Sequence, residues 1–450
     1  MMKQDLQSTS IRFAWLLRVP VSTLGLWLCL WLNLNTESIS VPNSYSFADW
    51  SLFIRGDLPF VVILAASSVL IHQRTLTLLS YSPSRLLLTY GVIAACATVF
   101  SPIPFPSFYF SVAFLATILT AWACVDSRRP LVSSRKLLHF TWMATFMVAA
   151  IIGYQARHSV FGDSASAYGV IVDLKGLSRS SGVARWAAVP GLVCLVRAYY
   201  SRSLALVVTY LGFSALAFFI VYRMQSRGAV FGAIAATLFA LLVSSRLRRY
   251  ALPFAFMAII VILILDSPGS VSNGVATYLK RGQSTEEFFT MTGRTRAYEH
   301  GLAAFRDAPF FGRGQWADRL VIGEHVHDSF LQALLNGGIF GAVPYVASWV
   351  TGWILFAKLQ MRRSRLNSED RVHLLECGAV MMFFTVRSIP ETTTASFSVD
   401  LLVMVAIYVY LETLTHQINV ARPQHVLQAY HLVRTRPAIA EVPTVGAVGH

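Results

Sequence analysis

Apolar residues are gathered into long runs along this chain, and short polar or charged segments separate one run from the next. A helix needs about 20 consecutive, mostly apolar residues to cross a bilayer. The runs have about this length, so the pattern predicts an all-α polytopic membrane protein with about 12 transmembrane helices. The predicted spans are residues 12–34, 57–72, 86–102, 108–124, 137–154, 186–201, 203–222, 228–245, 251–266, 338–357, 373–389 and 399–416. The sixth span is short and could instead be a re-entrant segment.

The composition agrees with a membrane protein and excludes the soluble classes. Of the 450 residues, 55% are apolar and only 13% are charged, whereas a soluble domain carries about 25% charged residues. A soluble enzyme, a disordered chain, a coiled coil and a collagen-like rod are therefore excluded. The five cysteines all lie within apolar runs and show no Cys-x-x-Cys spacing, so neither a disulfide framework nor a cysteine-based zinc site is indicated.

The placement of basic residues predicts the orientation of the chain. The connections after the second, fourth, sixth, eighth and tenth spans are basic, and short loops rich in Lys and Arg face the cytoplasm. Both termini are therefore predicted to be cytoplasmic, with a transmembrane domain over residues 1–416 and a mobile cytoplasmic tail over residues 417–450. The same bias explains the excess of 37 Lys and Arg over 22 Asp and Glu, so no nucleic-acid partner is predicted.

The predicted exterior side carries more arginine than this rule explains. Arg223 and Arg227 lie in a connection of a few residues between two apolar runs, where a charge facing the wrong side costs insertion energy. One interpretation is that their side chains reach the outer lipid headgroups. The other is a binding site for a phosphorylated group, because a guanidinium fork binds phosphate oxygens in pairs. Further exterior arginines that could contribute to such a site are Arg179, Arg185, Arg294, Arg296 and Arg313.

The longest non-apolar segment is the exterior loop 267–329, and loops of this length are usually functional or disordered. Thr292 could cap a helix over residues 293–307, which Pro309 would end. One face of that helix would carry Tyr298, Leu302 and Phe305. The pattern favours an amphipathic helix on the outer membrane surface, and a solvated lid without chemistry is the alternative.

Two histidines, His325 and His327, lie where this loop returns to the membrane. A metal site is only weakly indicated, because neither a cysteine nor a carboxylate triad accompanies them in the sequence. The nearby arginines would hold an imidazole neutral, and a neutral imidazole can accept a proton from a hydroxyl group. A general base and a structural histidine at the membrane boundary are both compatible with the sequence.

Several short motifs surround these residues in a fixed order. They are Gln225-Ser226-Arg227-Gly228-Ala229, Thr292-Gly293-Arg294, Pro309-Phe310-Phe311-Gly312-Arg313-Gly314, and His327-Asp328 followed by Gly338 and Gly341. Together they resemble the motifs of the O-antigen ligase and polymerase superfamily over roughly residues 179–345. The chain departs from that family at residues 179–186, which lack its Asn-Pro-Asn stretch, at Asp328, where Asn or Ser is usual, and at Tyr298, where Trp is common.

The resemblance implies a GT-C-like membrane glycosyltransferase that is metal-independent and uses no cofactor. Its donor would be a glycan linked to undecaprenyl diphosphate, and its acceptor a lipid A-core sugar or another glycan, with membrane lipids around both. The implied catalytic residues are His327, as base for the acceptor hydroxyl, and Arg227 and Arg294, which would hold the diphosphate. The implied substrate-binding residues are Arg179, Arg185, Arg223, Arg296, Arg313 and His325.

Three functions compete. A ligase would transfer the glycan to a lipid A-core acceptor at the periplasmic face of the bacterial inner membrane, and the sequence slightly favours it. An O-antigen or exopolysaccharide polymerase would use the same motifs. A transporter or flippase is less favoured, because no repeat relates the two halves and the long loop is exterior.

Overall fold

The structure is a computed structural model, which describes residues 21–32, 47–73, 82–155, 157, 180–224, 226–244 and 294–434. Over these residues the secondary structure is helical, without a strand. The α-helices are α1 Val21–Leu32, α2 Phe47–Gln73, α3 Pro83–Cys96, α4 Pro104–Ala123, α5 Pro130–Gln155, α6 Ser180–Tyr200, α7 Leu204–Arg223, α8 Arg227–Val243, α9 Arg294–Asp307, α10 Ser329–Met361, α11 Ser368–Arg387 and α12 Val399–Arg434. A 3-10 turn, Ala97–Phe100, continues α3, and a π-helical turn, Asp318–Ile322, precedes α10.

Several of these helices can cross a membrane. Six are long and apolar enough by length and composition, namely α3 with its 3-10 turn, α4, α5, α7, α10 and the first part of α12. Shorter apolar helices occur at Thr23–Leu32, Gly56–His72 and Arg227–Val243. The predicted spans within the described residues all coincide with helices, and α6 is one continuous helix. The span predicted at 251–266 lies outside the described residues. The protein is therefore a multi-pass membrane protein that is helical throughout its described segments, and the count of 12 spans stays a prediction.

The helices differ in how deeply they are buried. Most of the apolar part of α12 is enclosed by other helices, whereas α7 presents most of its side chains outward. The outward residues of α7 include Leu204, Val208 and Phe213, which are more than half exposed. An apolar face of this kind is suited to contact with lipid tails, so α12 is central in the bundle and α7 peripheral.

The helix α10 is broken at Gly338, which has a non-helical backbone with φ 59°. A break in a buried helix frees backbone amides and carbonyls, which must find other partners. Here the loop segment 309–314 supplies them. The bonds run from Arg313 N to Leu335 O (2.8 Å), from Gly314 N to Asn336 O (2.9 Å), from Ile339 N to Pro309 O (2.8 Å) and from Phe340 N to Phe310 O (3.2 Å). The loop therefore inserts its backbone into the opening in α10.

Two of the motif glycines make this insertion possible. A Cβ atom at Gly338 would lie 2.2 Å from the Phe310 carbonyl, and one at Gly312, where φ is 70°, would lie 2.6 Å from the Gly338 nitrogen. Both positions combine positive φ with backbone contact, which only glycine tolerates. The neighbouring Gly337 and Gly341 instead face Tyr90 and Ile93 of α3, where a Cβ would lie 3.4–3.7 Å from those side chains.

The helix predicted at 293–307 is present as α9, which ends at Asp307, before Pro309. Of the residues on its predicted apolar face, Tyr298 and Phe305 pack against a cluster that includes Leu331 and Leu335 of α10, whereas Leu302 is 45% exposed. The buried residues are Ala297 and Gly301, and a Cβ at Gly301 would lie 2.9 Å from the Leu331 side chain. Small residues thus allow α9 to pack against the start of α10. The proposed cap Thr292 lies outside the described residues, and the position of α9 on the membrane surface stays a prediction.

At the other end of the chain, α12 continues to Arg434. It therefore extends into the segment 417–450 that the sequence assigned to a tail. Residues 435–450 lie outside the described part of the chain.

Candidate active site

His327 lies in the short connection between the π-helical turn and α10. Its φ is 52°, a conformation that costs about 1–3 kcal/mol in a non-glycine residue and persists only when the surroundings fix it. The next residue fixes it from one side, because the Asp328 carboxylate caps α10 by accepting from Leu331 N at 2.6 Å. Asn and Ser are equally good N-caps, so the departure at Asp328 keeps the function of the family residue.

Glu391, in the connection between α11 and α12, fixes His327 from the other side. Its Oε2 lies 3.3 Å from His327 Nδ1, and its Oε1 accepts from Arg294 Nη2 at 3.0 Å. Arg294 also donates to the carbonyl oxygen of Pro390. One carboxylate therefore joins the predicted base to a predicted phosphate-binding arginine.

Ser329 ties the connection that carries Glu391 to the start of α10. Its hydroxyl donates to the Glu391 carbonyl at 3.1 Å and accepts from Thr393 N at 2.8 Å. Its own amide donates to the Ser388 carbonyl at 3.0 Å. These bonds fix the first residue of α10 against the loop, so the distance between His327 and Glu391 depends on the backbone as well as on the two side chains.

The electrostatics favour a neutral imidazole beside an ionised carboxylate. Burial lowers the pKa of His327 below its ordinary value; the hydrogen bond with Glu391 opposes this, and positive charge at His325 and Arg294 reinforces it. Burial alone would raise the pKa of Glu391, but the hydrogen bond with His327 and the charges of Arg387 and Arg294 outweigh it and bring the pKa to about 2. With Nδ1–H donating to Glu391, the lone pair of His327 Nε2 is left to accept a proton.

Arg227 begins α8 beside this group. Arg294 is an electrostatic neighbour of Arg227, and a Cβ at the adjacent Gly228 would lie 3.2 Å from Pro390 and 3.9 Å from Glu391. Gly228 therefore lets the N-terminus of α8 approach the α11–α12 connection closely. The first residue of α8, Arg227, therefore lies next to the connection that carries Glu391.

A second carboxylate, Asp400 at the start of α12, holds two more arginines. Its Oδ2 accepts from Arg387 Nη1 at 2.8 Å and from Arg185 Nη1 at 3.3 Å. Arg387 is buried, and it also interacts electrostatically with Glu391. The Nε atoms of Arg185 and Arg387 are buried without a hydrogen-bond partner among the described residues. Donors of this kind are expected to have an acceptor.

We call Arg185, Arg227, Arg294 and Arg387 the arginine cluster. Its four positive charges face two negative ones, at Glu391 and Asp400, so the formal charge of the group is +2. This excess of positive charge, together with the many guanidinium N–H donors of the cluster, suits the binding of a polyanion such as a diphosphate.

His325 belongs to a neighbouring polar network. Its Nδ1 lies 2.6 Å from Asp318 Oδ2 and its ring centre 4.4 Å from that of His327. Asp318 also accepts from Gln332 Nε2 at 3.0 Å, and the same nitrogen donates to Asn336 at 2.9 Å. Burial would raise the pKa of Asp318, but the hydrogen bond and charge of His325 lower it below the ordinary value. The network fixes His325 and the π-helical turn beside the site.

The other predicted substrate-binding residues lie at various distances from this centre. Arg223 ends α7 and is half-buried, one short connection from Arg227. Arg313 donates to the Phe100 carbonyl at 3.4 Å, at the α3–α4 connection. Arg296 is exposed on α9. Arg179 lies outside the described residues.

A metal ion could also be held here. Ligand atoms of His325, His327 and Glu391 all lie within 4.8 Å of one another. Neither a cysteine nor a carboxylate triad accompanies the two histidines in the sequence, but the fold adds Glu391, which is 64 residues from His327 along the chain. However, His327 and Glu391 already pair with each other, and Arg294 occupies the second oxygen of Glu391. The geometry favours proton transfer at His327.

Three residues of the site were not predicted from the sequence: Glu391, Arg387 and Asp400. Glu391 is the acidic residue of the predicted exterior connection 390–398, and it is the obvious counter-ion for an arginine-rich exterior loop. Arg387 and Asp400 lie within or beside apolar runs, where an ionisable residue usually has a function.

The fold and the site together define a class of protein: a multi-pass helical membrane protein whose histidine, carboxylate and arginine residues meet at the end of several helices. A family model described as O-Antigen ligase matches residues 212–346. The match contains Arg227, Arg294 and His327, and it confirms the resemblance to the O-antigen ligase and polymerase superfamily. Arg185, Arg387, Glu391 and Asp400 lie outside the matched residues. No curated protein matches the chain.

Proposed function

We propose that this protein is a glycosyltransferase that moves a glycan from undecaprenyl diphosphate to an acceptor hydroxyl at the periplasmic face of the bacterial inner membrane. The observation that carries the proposal is the double contact of Glu391, which joins His327 to Arg294. The reaction requires a base for the acceptor hydroxyl and a group that binds the anionic diphosphate. The family match supports the same class of substrate.

The chemistry follows from the contacts. The acceptor oxygen attacks the anomeric carbon of the lipid-linked glycan, and the bond from that carbon to the diphosphate oxygen breaks. The proton of the acceptor goes to His327 Nε2, and Glu391 stabilises the imidazolium through Nδ1. The bonding electrons leave with the carrier diphosphate, whose charge is stabilised by the arginine cluster. No metal is needed for any of these steps, so we propose metal independence.

The arginine cluster would bind the diphosphate by its guanidinium donors. Arg294 shares Glu391 with His327, and Arg227 is its electrostatic neighbour, so these two arginines would contact the phosphate next to the breaking bond. Arg185 and Arg387 have buried Nε donors without a partner, which a phosphate oxygen could use. Arg223, Arg296, Arg313 and Arg179 would contribute to the outer part of the substrate path.

The proposed orientation places the site outside. Twelve spans with cytoplasmic termini, and a tail over residues 417–450, would put His327, Glu391 and α9 in the periplasm. Cysteines placed at Glu299 on α9 and at Ser368, the first residue of α11, in a background without reactive cysteines, test this. A membrane-impermeant thiol reagent added outside should label the first and spare the second. The reverse pattern would contradict the proposal.

Ligase and polymerase activities differ in the acceptor. We favour the ligase, with a lipid A-core acceptor, because the matching family model is described as O-Antigen ligase. Glycan analysis of a deletion strain separates the two. Long chains left on the carrier indicate a ligase, and single repeats indicate a polymerase.

The transfer itself is tested with purified protein in lipid vesicles, lipid-linked glycan donor and acceptor. The expected result is glycan transfer that is slower in the Glu391→Gln variant and unchanged in the His300→Ala variant. His300 is exposed on α9 and pairs with Glu324, so it is a matched control. Movement of the donor across the bilayer without transfer would indicate a flippase and contradict the proposal.

A further inference from the structure

A second group of histidine and carboxylate side chains lies at the other end of the bundle. It consists of His139 on α5 with Glu369 and His373 on α11, and their ligand atoms all lie within 4.8 Å of one another. His373 and Arg387 are 14 residues apart on α11, which corresponds to about 21 Å at 1.5 Å per residue. The group is therefore separate from the site at His327.

The spacing within this group differs from that of hydrogen-bonded side chains. Glu369 Oε1 lies 3.8 Å from His139 Nε2 and 3.8 Å from His373 Nε2. Both distances exceed the range of a hydrogen bond. Ligands bound to a tetrahedral zinc ion at about 2.0–2.1 Å lie roughly 3.3–3.4 Å apart. Small side-chain rotations would bring the three atoms to that separation.

His373 is oriented by its other nitrogen. Its Nδ1 lies 2.9 Å from Glu376 Oε2, and Glu376 also accepts from Arg197 and from the Trp142 indole. With Nδ1–H donating a hydrogen bond to this carboxylate, Nε2 carries the lone pair of the ring. It lies 3.8 Å from Glu369 Oε1. A histidine that donates to a carboxylate through one nitrogen and binds a metal through the other is the usual arrangement in zinc sites.

An independent observation also points to a ligand. His373 is 3% exposed, and its Nε2 is buried without a hydrogen-bond partner among the described residues. A buried polar nitrogen of this kind requires an explanation. The partner cannot be Arg135, because that side chain donates to Asp370 at 2.8 and 2.6 Å and faces only the other oxygen of Glu369.

We propose that His139, Glu369 and His373 bind a divalent transition-metal ion, zinc being the best fit to two imidazoles and one carboxylate. The fourth position faces outward, since the side chains of His139 and Glu369 are 37% and 54% exposed. The bound ion joins α5 to α11. In the proposed orientation this site opens to the cytoplasm.

The test uses the full chain, purified in detergent and freed of metal. Zn²⁺ is titrated against a chromophoric chelator, and Co²⁺ is titrated while its visible absorption is recorded, because four-coordinate Co²⁺ absorbs strongly. We expect one equivalent to bind, with the intense absorption of a tetrahedral site. His139→Ala and Glu369→Gln, both at exposed positions, should weaken binding by about tenfold or more, since even loss of a residue that supports a ligand costs 10–100-fold.

The matched control removes the other histidine pair. A His325→Ala, His327→Ala double variant should bind Zn²⁺ and Co²⁺ as the parent does. Zn²⁺ should also raise the unfolding temperature of the parent and of this double variant, but not that of His139→Ala. Binding lost in the double variant and kept in His139→Ala would overturn the proposal. Failure of the parent to bind either ion would overturn it as well, and would indicate that His373 is a protonated bridge between Glu369 and Glu376.

Discussion

The two histidine–carboxylate groups contain the same kinds of residue but differ in geometry. At His327 the carboxylate is within hydrogen-bond distance of the imidazole and of an arginine. In the His373 group, Glu369 Oε1 lies 3.8 Å from the Nε2 atoms of both His139 and His373, beyond hydrogen-bond distance. The first arrangement suits proton transfer next to an anion, and the second suits a metal ion. Composition alone does not distinguish these functions; the distances between ligand atoms do.

The surroundings of the two groups differ in the same sense. Around Glu391 the arginine cluster leaves a formal excess of positive charge, which repels a metal cation and attracts a diphosphate. Around Glu369 the nearby arginines Arg135 and Arg197 are each neutralised by a carboxylate, Asp370 and Glu376. Substitutions that affect only one of the two histidine–carboxylate groups therefore test whether the groups have different functions.

The largest effect is expected for His327→Ala. Loss of a general base costs about 10²–10⁴-fold in rate, so glycan transfer should fall by that factor while donor binding is kept. His139→Ala should leave the transfer rate near that of the parent. Steady-state transfer by purified variants in vesicles is the measurement, and equal losses for both variants would remove the distinction between the two groups.

A large effect is also expected for Arg227→Lys. The charge is kept, but an ammonium group cannot reproduce the paired contacts of a guanidinium with a phosphate, so transfer should fall by about tenfold or more. Arg306→Lys, at an exposed position on α9, is the matched control and should be close to the parent. Donor titrations with both variants give the comparison. Full activity of Arg227→Lys would mean that Arg227 serves membrane contact only.

The pH dependence of transfer is expected to change in Glu391→Gln. A neutral His327 is active above its pKa, and burial lowers that pKa, so the parent should be fully active at pH 7 and lose activity only below the ordinary range of histidine. Glu391 raises the pKa of His327. Its replacement should therefore move the acidic limb of the pH–rate profile to lower pH, besides lowering the maximum rate. An acidic limb that stays at the same pH or moves to higher pH would contradict the hydrogen bond between Glu391 and His327.

The smallest effect is expected at Asp328. Asp328→Asn keeps the cap on Leu331 N and should be close to the parent in both stability and transfer. Asp328→Ala loses the cap, which costs about 0.5–2 kcal/mol, and releases the backbone that fixes His327. The unfolding temperature and the transfer rate of both variants are the measurements. The first reports the stability lost with the cap, and the second reports the positioning of His327. Equal behaviour of Asn and Ala would show that the cap does not position His327.

The sequence was sufficient to predict the helical class, the position of α9 and the grouping of Arg227, Arg294 and His327, because apolar runs and short motifs are local signals. It was not sufficient for Glu391, Arg387 and Asp400, which reach the site from the last connection of the chain and from its two flanking helices. Their role depends on how α11 and α12 pack against α8 and α10, and no local pattern records that packing.

The same reason explains the role of Gly338. A glycine at that position was compatible with close helix packing, and the loop insertion appears only when the four backbone hydrogen bonds are seen together. The packing of α9 is a similar case. The apolar side chains of α9 are evident in the sequence, but its fully buried residues are Ala297 and Gly301, whose small size lets α10 come close.

The central claim, that transfer at His327 is an acid–base reaction without a metal, is tested most directly by single-turnover transfer in excess EDTA. We predict that the rate with chelator equals the rate without it, and that His327→Ala is slow in both. Loss of transfer in EDTA that Zn²⁺ restores in the parent, and also in the His139→Ala variant, would show that His325, His327 and Glu391 hold a required metal and would contradict the account.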